Sequence, residues 1–179
     1  MTLFSHQEEI IEYIQANSKT VLAIEMGRGS NTAIAKFMAD KKQANVVFVS
    51  PMFVNDFCQK ITNFGGEVTK IYGREDFFKK IKGTVVIANS LTNIKLFNEN
   101  FPRVDNLAVI NPVIKNSESQ TYREIKTAIS KTERIIVKAV PDTNCIREAA
   151  SLVLNEKNMS EEELSQGVLK TRDLNIDLT

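Results

Sequence analysis

Ser30, Asn31 and Thr32 stand just after two closely spaced glycines, Gly27 and Gly29, at the end of the apolar run TVLAIEM (20–26). Glycines so placed let backbone N–H groups turn inward on phosphate oxygens, and a helix opening behind them adds a positive N-terminus. A working loop of this kind also needs a lysine that reaches the β and γ phosphates and a Ser or Thr hydroxyl that holds magnesium. Ser30 and Asn31 occupy those two places, and Thr32 comes one step late. Lys36 lies about a turn and a half into the expected helix, too far along to substitute without a distorted start. Arg28, on the turn itself, is expected to point outward. Taken alone, these residues read more simply as a tight strand-to-helix turn than as a phosphate loop.

Other chemistry is thin. The single histidine, His6, and the two distant cysteines, Cys58 and Cys145, show no metal-ligand spacing and no triad. Both cysteines read as small buried apolar residues in a reducing compartment.

The elements that must position the loop are clear. TVLAIEM, NVVFVS (45–50), VTKIYG (68–73), TVVIAN (84–89), NLAVIN (106–111) and RIIVKAV (134–140) are short, β-branched and mostly continuous in apolarity. That is the signature of strands buried on both faces. Between them apolar residues recur at helical spacing: Ile10, Ile11 and Ile14; Ala33, Ile34, Phe37 and Met38; Phe53, Phe57, Ile61 and Phe64. Ser117 and Gln120 have the spacing of a capping box before Tyr122, Ile125 and Ile129, and Asp142 or Thr143 can cap a helix through Ile146, Ala149, Ala150 and Val153. The alternation predicts an α/β fold, a mostly parallel sheet of about six strands with helices on both faces.

A chain of 179 residues with 42% hydrophobic and 25% charged content suits one domain, here residues 1–157. Residues 158–179, with a capping box at Ser160 and Glu163 and a stop at Gly167, read as a final helix and edge strand or as a tail that packs on the lobe or docks on a partner. The net charge of +1 gives no global basic field, so nucleic acid would need a local patch. Lys79, Lys80, Lys82, Lys115, Arg123 and Lys126 are candidates for one, or simply solvated helix faces. Leu3 and Phe4, followed at once by His6, Gln7, Glu8 and Glu9, do not open a signal peptide, and no apolar run approaches the ~20 residues of a membrane span. The expectation is a cytoplasmic protein with no membrane association. Abundant Asn, Lys and Ile hint at an AT-rich genome, and the small size at a phage.

The ordered set of segments resembles the first RecA-like lobe of superfamily 2 helicases and translocases, within these the SWI/SNF-type ATPases, over roughly residues 3–157. LFSHQEEIIEYI looks like the opening helix whose glutamine reads adenine, which puts Gln7 in that role. VLAIEMGRGSNT is similar to the strand and loop ending in Glu-Met-Gly-x-Gly-Lys-Thr. VVFVSPMFVNDFCQKI and GTVVIANSLTNI resemble the two segments whose strand-end turns touch the nucleic-acid backbone, which puts Ser50, Pro51, Asn89 and Ser90 there. NLAVINPVIKNSESQTYREIKTAIS parallels the acidic strand end and the helix after it, and RIIVKAVP the strand that ends in Thr-Gly-Thr-Pro. The resemblance implies a RecA-like three-layer sandwich.

The departures fall on chemistry. Hydrolysis needs metal held by an acid, a second carboxylate to orient water and a cation on the transferred phosphoryl group. Asn111 and Pro112 stand where the family carries Asp-Glu, and no acid occurs from Leu107 through Ile114; Asp105 precedes the expected strand and Glu118 lies beyond the loop. Lys138, Ala139, Val140 and Pro141 replace the coupling motif. A second lobe is not expected, since 179 residues leave no room for one. The expectation is a pseudo-ATPase with no cofactor and no metal, whose remnant nucleotide site comprises Gln7, Gly27, Gly29, Ser30, Asn31 and Thr32. It would serve as a binding or regulatory module on a protein partner, such as a helicase, a translocase or a nucleoprotein complex. The alternatives are a DNA- or RNA-binding protein that uses the four turn residues, and a weak NTP-binding or NTP-hydrolysing protein completed by oligomerisation.

Overall fold

The computed structural model describes residues 2–113, 119–154, 162 and 167–175. Helices and strands alternate along the chain: α1 (Ser5–Ala16), β1 (Lys19–Ala23), α2 (Ser30–Asp40), β2 (Asn45–Val49), α3 (Val54–Asn63), β3 (Val68–Ile71), β4 (Thr84–Ala88), α4 (Leu91–Asn100), β5 (Val104–Ile110), α5 (Gln120–Ser130), β6 (Thr132–Ala139), α6 (Thr143–Leu154) and β7 (Val168–Lys170). The strands form one sheet in the order β3-β4-β2-β5-β6-β1-β7, with every neighbour parallel.

Two cores follow from the pleat. Odd positions of β1 and β6, such as Val21, Ile135 and Val137, pack with α4, α5 and α6. The residues between them, such as Leu22 and Ile136, pack with α1, α2 and α3. Each strand feeds both cores, so its apolarity is continuous, as the sequence requires.

The observed sheet has one strand more than the six expected, because β7 adds to the outer edge of β1. Two strand ends move for local reasons. β1 stops at Ala23, and the Glu25 N–H bonds the Thr171 hydroxyl at 2.9 Å instead of a strand. β5 stops at Ile110, because Asn111 enters the left-handed region at φ 46°. Asp105 lies inside β5 rather than ahead of it, at the amino end, where its carboxylate accepts from Ala44 N at 2.9 Å.

Helix α4 was not among the helical patterns read from the sequence. It is capped by Ser90, whose hydroxyl accepts from Asn93 N, and it buries Ile94 and Phe97. Asp142 caps α6 by accepting from Asn144 N and Cys145 N. Ser119 caps α5 by accepting from Tyr122 N, while the expected cap Ser117, Glu118 and Lys115, and the box at Ser160 and Glu163, lie outside the described residues. Phe53 is exposed rather than on the buried stripe of α3.

Cys58 is buried as expected, but Cys145 is only half-buried, being at the open first turn of α6. Burial pushes the Cys58 thiol up to about 11, against a weaker downward pull from Lys70. Its contribution to stability is therefore complete below the ordinary value of 9.0 and fades as pH rises through about 11. Iodoacetamide at neutral pH is expected to label Cys145 first and to reach Cys58 only on unfolding. Peptide mass mapping of the native protein checks this, and equal labelling of the two would contradict it.

Candidate functional site

The carboxyl edge of the sheet gathers most of the residues singled out from the sequence. Gly27 and Gly29 both take left-handed backbone (φ 82° and 76°), and Gly29 is the N-cap of α2, with no side chain capping it. The first N–H groups of α2 are thus left without a protein cap. Ser30 is buried at the start of the helix, and Asn31 and Thr32 are half-buried beside it.

Helix α1 holds this loop from behind. The Gln7 amide accepts from Phe4 N at 2.8 Å and donates to Gly29 O at 3.2 Å. His6, for which no role was expected, donates its Nε2–H to Arg28 O at 2.7 Å, a carbonyl being able only to accept. Both side chains are buried. Gln7 thus ties α1 to the loop through one N–H and the oxygen of its amide. A Cβ on Gly29 would sit 2.3 Å from Gln7 Nε2 and force an L residue into left-handed backbone. Gly29→Ala is expected to cost about 1–3 kcal/mol, with the loss seen in a urea melt and in faster proteolysis of the loop.

The cations close to the loop in sequence are engaged elsewhere. Lys36 pairs with Asp40 at 3.0 Å and lies over the Phe64 ring, and Arg28 faces Glu25 at 3.8 Å. Lys138 is different. It sits near the carboxyl end of β6, opposite Leu22 of β1 and Ile110 of β5, and is only 5% exposed. Its carbonyl accepts from Asn111 N at 2.8 Å. Burial, with a contribution from Lys60, holds its ammonium below the usual lysine range.

The Oδ1 atoms of Asn31 and Asn111 are buried without hydrogen-bond partners. The glycine loop thus offers a hydroxyl and an amide, Ser30 and Asn31, while Asn111 at the end of β5 lines a cavity with Ala139, Val140 and Glu148 on the α6 side. A divalent cation is held with the help of carboxylate oxygens, and neither Ser30 nor Asn31 supplies one, so the loop does not fit magnesium.

Ser50, Pro51, Asn89 and Ser90 come together at the ends of adjacent β2 and β4, where Asn89 N bonds Val49 O at 2.9 Å. The Ser90 hydroxyl is already used as the cap of α4. The basic residues do not form one patch. Lys79, paired with Asp76, and Lys80 and Lys82 lie between β3 and β4, whereas Arg123 and Lys126 are on α5, with α4 between the two groups. Tyr122 is core and Tyr72 is exposed.

Sequence reasoning missed one property of this edge. Six of the nine exposed large apolar side chains among the described residues lie on it, in loops that follow five of the seven strands. In sheet order these are Tyr72 after β3, Met52 and Phe53 after β2, Val113 after β5, Val140 after β6 and Met26 after β1. No local pattern marks them, because each is a single residue in a different turn.

No family model and no curated protein matches the chain. Solved structures do. The chain is similar to the SWI2/SNF2 ATPase core of Sulfolobus solfataricus, solved in complex with double-stranded DNA, with a TM-score of 0.72 and 12% identity over 95% of this chain and 44% of that one. It is similar to the UvsW helicase from bacteriophage T4, with a TM-score of 0.65 and 12% identity over 95% of this chain and 60% of that one. The C-terminal domain of the DEAD-box protein Dbp5 follows, with a TM-score of 0.55 and 13% identity over 85% of this chain and 88% of that domain. The chain spans less than two thirds of the length of the first two. It has the fold of a single RecA-like helicase lobe.

Proposed function

We propose that this chain is a helicase-like lobe that does not hydrolyse nucleotide and acts as a binding module on a protein partner. The row of exposed apolar side chains along the carboxyl edge carries the reading. Six large apolar side chains exposed on one edge, set among polar turns, suit a docking surface. The absence of hydrolysis is supported by Asn111 where an acid would hold metal and by Ser30 where a lysine would meet the phosphoryl group. Composition alone supports a phage-type setting. Among the described residues no helix is long and apolar enough to cross a membrane.

A second reading, contact with DNA or RNA, is favoured by one observation: Ser50, Pro51, Asn89 and Ser90 do come together at one end of adjacent strands. Loop hydroxyls and amides so placed can meet phosphates without a large basic field.

Two measurements decide. Purified protein with ATP, magnesium and duplex DNA is expected to release no phosphate; steady release that Ser30→Ala abolishes would refute the first reading. A photocrosslinker placed at Met52 or Val140 is expected to join one defined polypeptide, and one placed at Ile81, on the β3–β4 segment, to join none. A salt-dependent mobility shift with DNA that Ser50→Asp removes, without any such crosslink, would establish the second reading instead.

A further inference from the structure

We infer that the cavity between Asn111 and α6 anchors a basic side chain, lysine or arginine, of the docked protein. The inference rests on the docking reading and names what that partner must present.

The cavity lies where β5 and β6 end beside the first half of α6, and its volume is about 310 Å³. That is the lower end of the ~300–1,000 Å³ usual for small-ligand pockets, room for one long side chain. Val113, Val140, Cys145 and Ala149 give it a mostly apolar wall. Val113 and Val140 also belong to the exposed apolar row, so the cavity is continuous with the edge read as a docking surface. An aliphatic stem suits such a wall.

The polar atoms left without partners here are acceptors. Asn111 lines the cavity, and its Oδ1 is buried with no hydrogen-bond partner among the described residues. Its backbone is held by a left-handed φ of 46° and by its N–H, which donates to Lys138 O at 2.8 Å. Glu148 of α6 lines the cavity too, half-buried and in no ion pair among the described residues. No described lysine or arginine lines it. The sign of the field is registered at Cys145. Burial raises its thiol above the ordinary value, and the neighbouring carboxylates of Asp142 and Glu148 raise it further. Asp142 already caps α6, which leaves Glu148 to meet a guest. A half-buried carboxylate and a buried amide oxygen beside an apolar wall call for a donor-rich cation on an aliphatic stem. A neutral guest would leave the charge unanswered, and an acidic one would be repelled.

The test uses Cys145 as a tether inside the cavity. The full chain is equilibrated with equal cystamine and bis(2-hydroxyethyl) disulfide. One S–S bond forms at the Cys145 thiolate and one in the reagent breaks, with cysteamine or mercaptoethanol as the leaving thiolate. The two caps differ in an ammonium against a hydroxyl, and peptide mass mapping reads their ratio at Cys145. In the native protein the ammonium cap is expected to be favoured about 5- to 20-fold over the ratio found in urea. Glu148→Gln is expected to bring the ratio close to the urea value. Asn111→Gly, which suits the left-handed backbone, is expected to lower it part of the way. Thermal melts show whether each variant is folded. Equal ratios in native and unfolded chain, or a native ratio that folded Glu148→Gln leaves unchanged, would overturn the inference. A crosslink from Val140 that persists in folded Glu148→Lys would also overturn it, while leaving the docking reading intact. No crosslink from either Met52 or Val140 in the parent would refute docking itself, and the anchor with it.

Discussion

Phe97→Ala is expected to lower the unfolding free energy by about 3–5 kcal/mol, the range for emptying a buried aromatic site. Phe97 has no solvent exposure and joins α4 to the sheet. Its ring stands edge-on to Phe48 of β2, with centroids 5.1 Å apart and planes at 88°, and stacks on Phe101 at 5.0 Å. The Lys131 ammonium lies over it at 5.4 Å while donating to the carbonyls of Asn98 and Phe101. Truncation removes both aromatic contacts and opens a cavity that the flanking strands, held by their ladders, cannot close. In a thermal melt the loss should appear as a fall of roughly 6–20 °C, at about 2–4 °C per kcal/mol for a chain of this size. A loss below 1 kcal/mol, with an unchanged denaturant slope, would show that the site collapses and that the packing argument is wrong.

Arg134→Ala is the second large effect, at about 2–4 kcal/mol, because hydrogen bonds from a charged donor are worth more than neutral ones. From β6 the guanidinium reaches across to the end of α1, where it donates to Ile14 O and, at 2.9 Å, to Asn17 O. It also lies over the Phe37 ring of α2 at 5.7 Å. A cation at a helix C-terminus is favourable as well. Alanine leaves the two carbonyls without this donor, and a single ammonium does not reproduce the planar fork, so Arg134→Lys is expected to recover only part of the loss. The helix set free is the one whose His6 and Gln7 hold the glycine loop. Hydrogen exchange should therefore rise in α1 and in residues 24–30 together. Exchange that rises uniformly, with no excess in these segments, would show that Arg134 contributes only to global stability.

The fold was legible because its signals are local and repeated. The apolarity of NVVFV and TVVIA follows from burial on both faces, and the stripe Ala33, Ile34, Phe37 and Met38 from burial of one helical face. Asp142 announced α6 by the same logic, as a short polar residue ahead of an apolar stripe. What was missed depends on contacts distant in sequence. The apolar stripe of α4 is weak, and its Asn93 is buried because it donates to Tyr72 O and Ala88 O. β7 has only three residues, too few to show a period, so the edge strand was one of two readings of residues 158–179 until its pairing with β1 decided for it. The loop's glycines and its lost lysine could be read directly. The hold exerted by His6 and Gln7, and the solitary charge of Lys138 in an apolar strand, could not, since a sequence does not show which side chains lack partners. Lysine inside RIIVKAV was the available signal, a charge in a run that is otherwise core.

The strand that carries the glycine loop pairs only with β6 and β7, so its first partner, Ile135 opposite Lys19, comes from the far end of the chain. During synthesis Val21, Leu22 and Ala23 wait beside the ribosome with no neighbour to accept their amides, while β2 and β4 already have each other. Pairings so distant are slow to close, and an exposed apolar segment in the meantime invites chaperones or aggregation. The first strand of the lobe is thus among the last to be locked, and refolding should be limited by the arrival of β6.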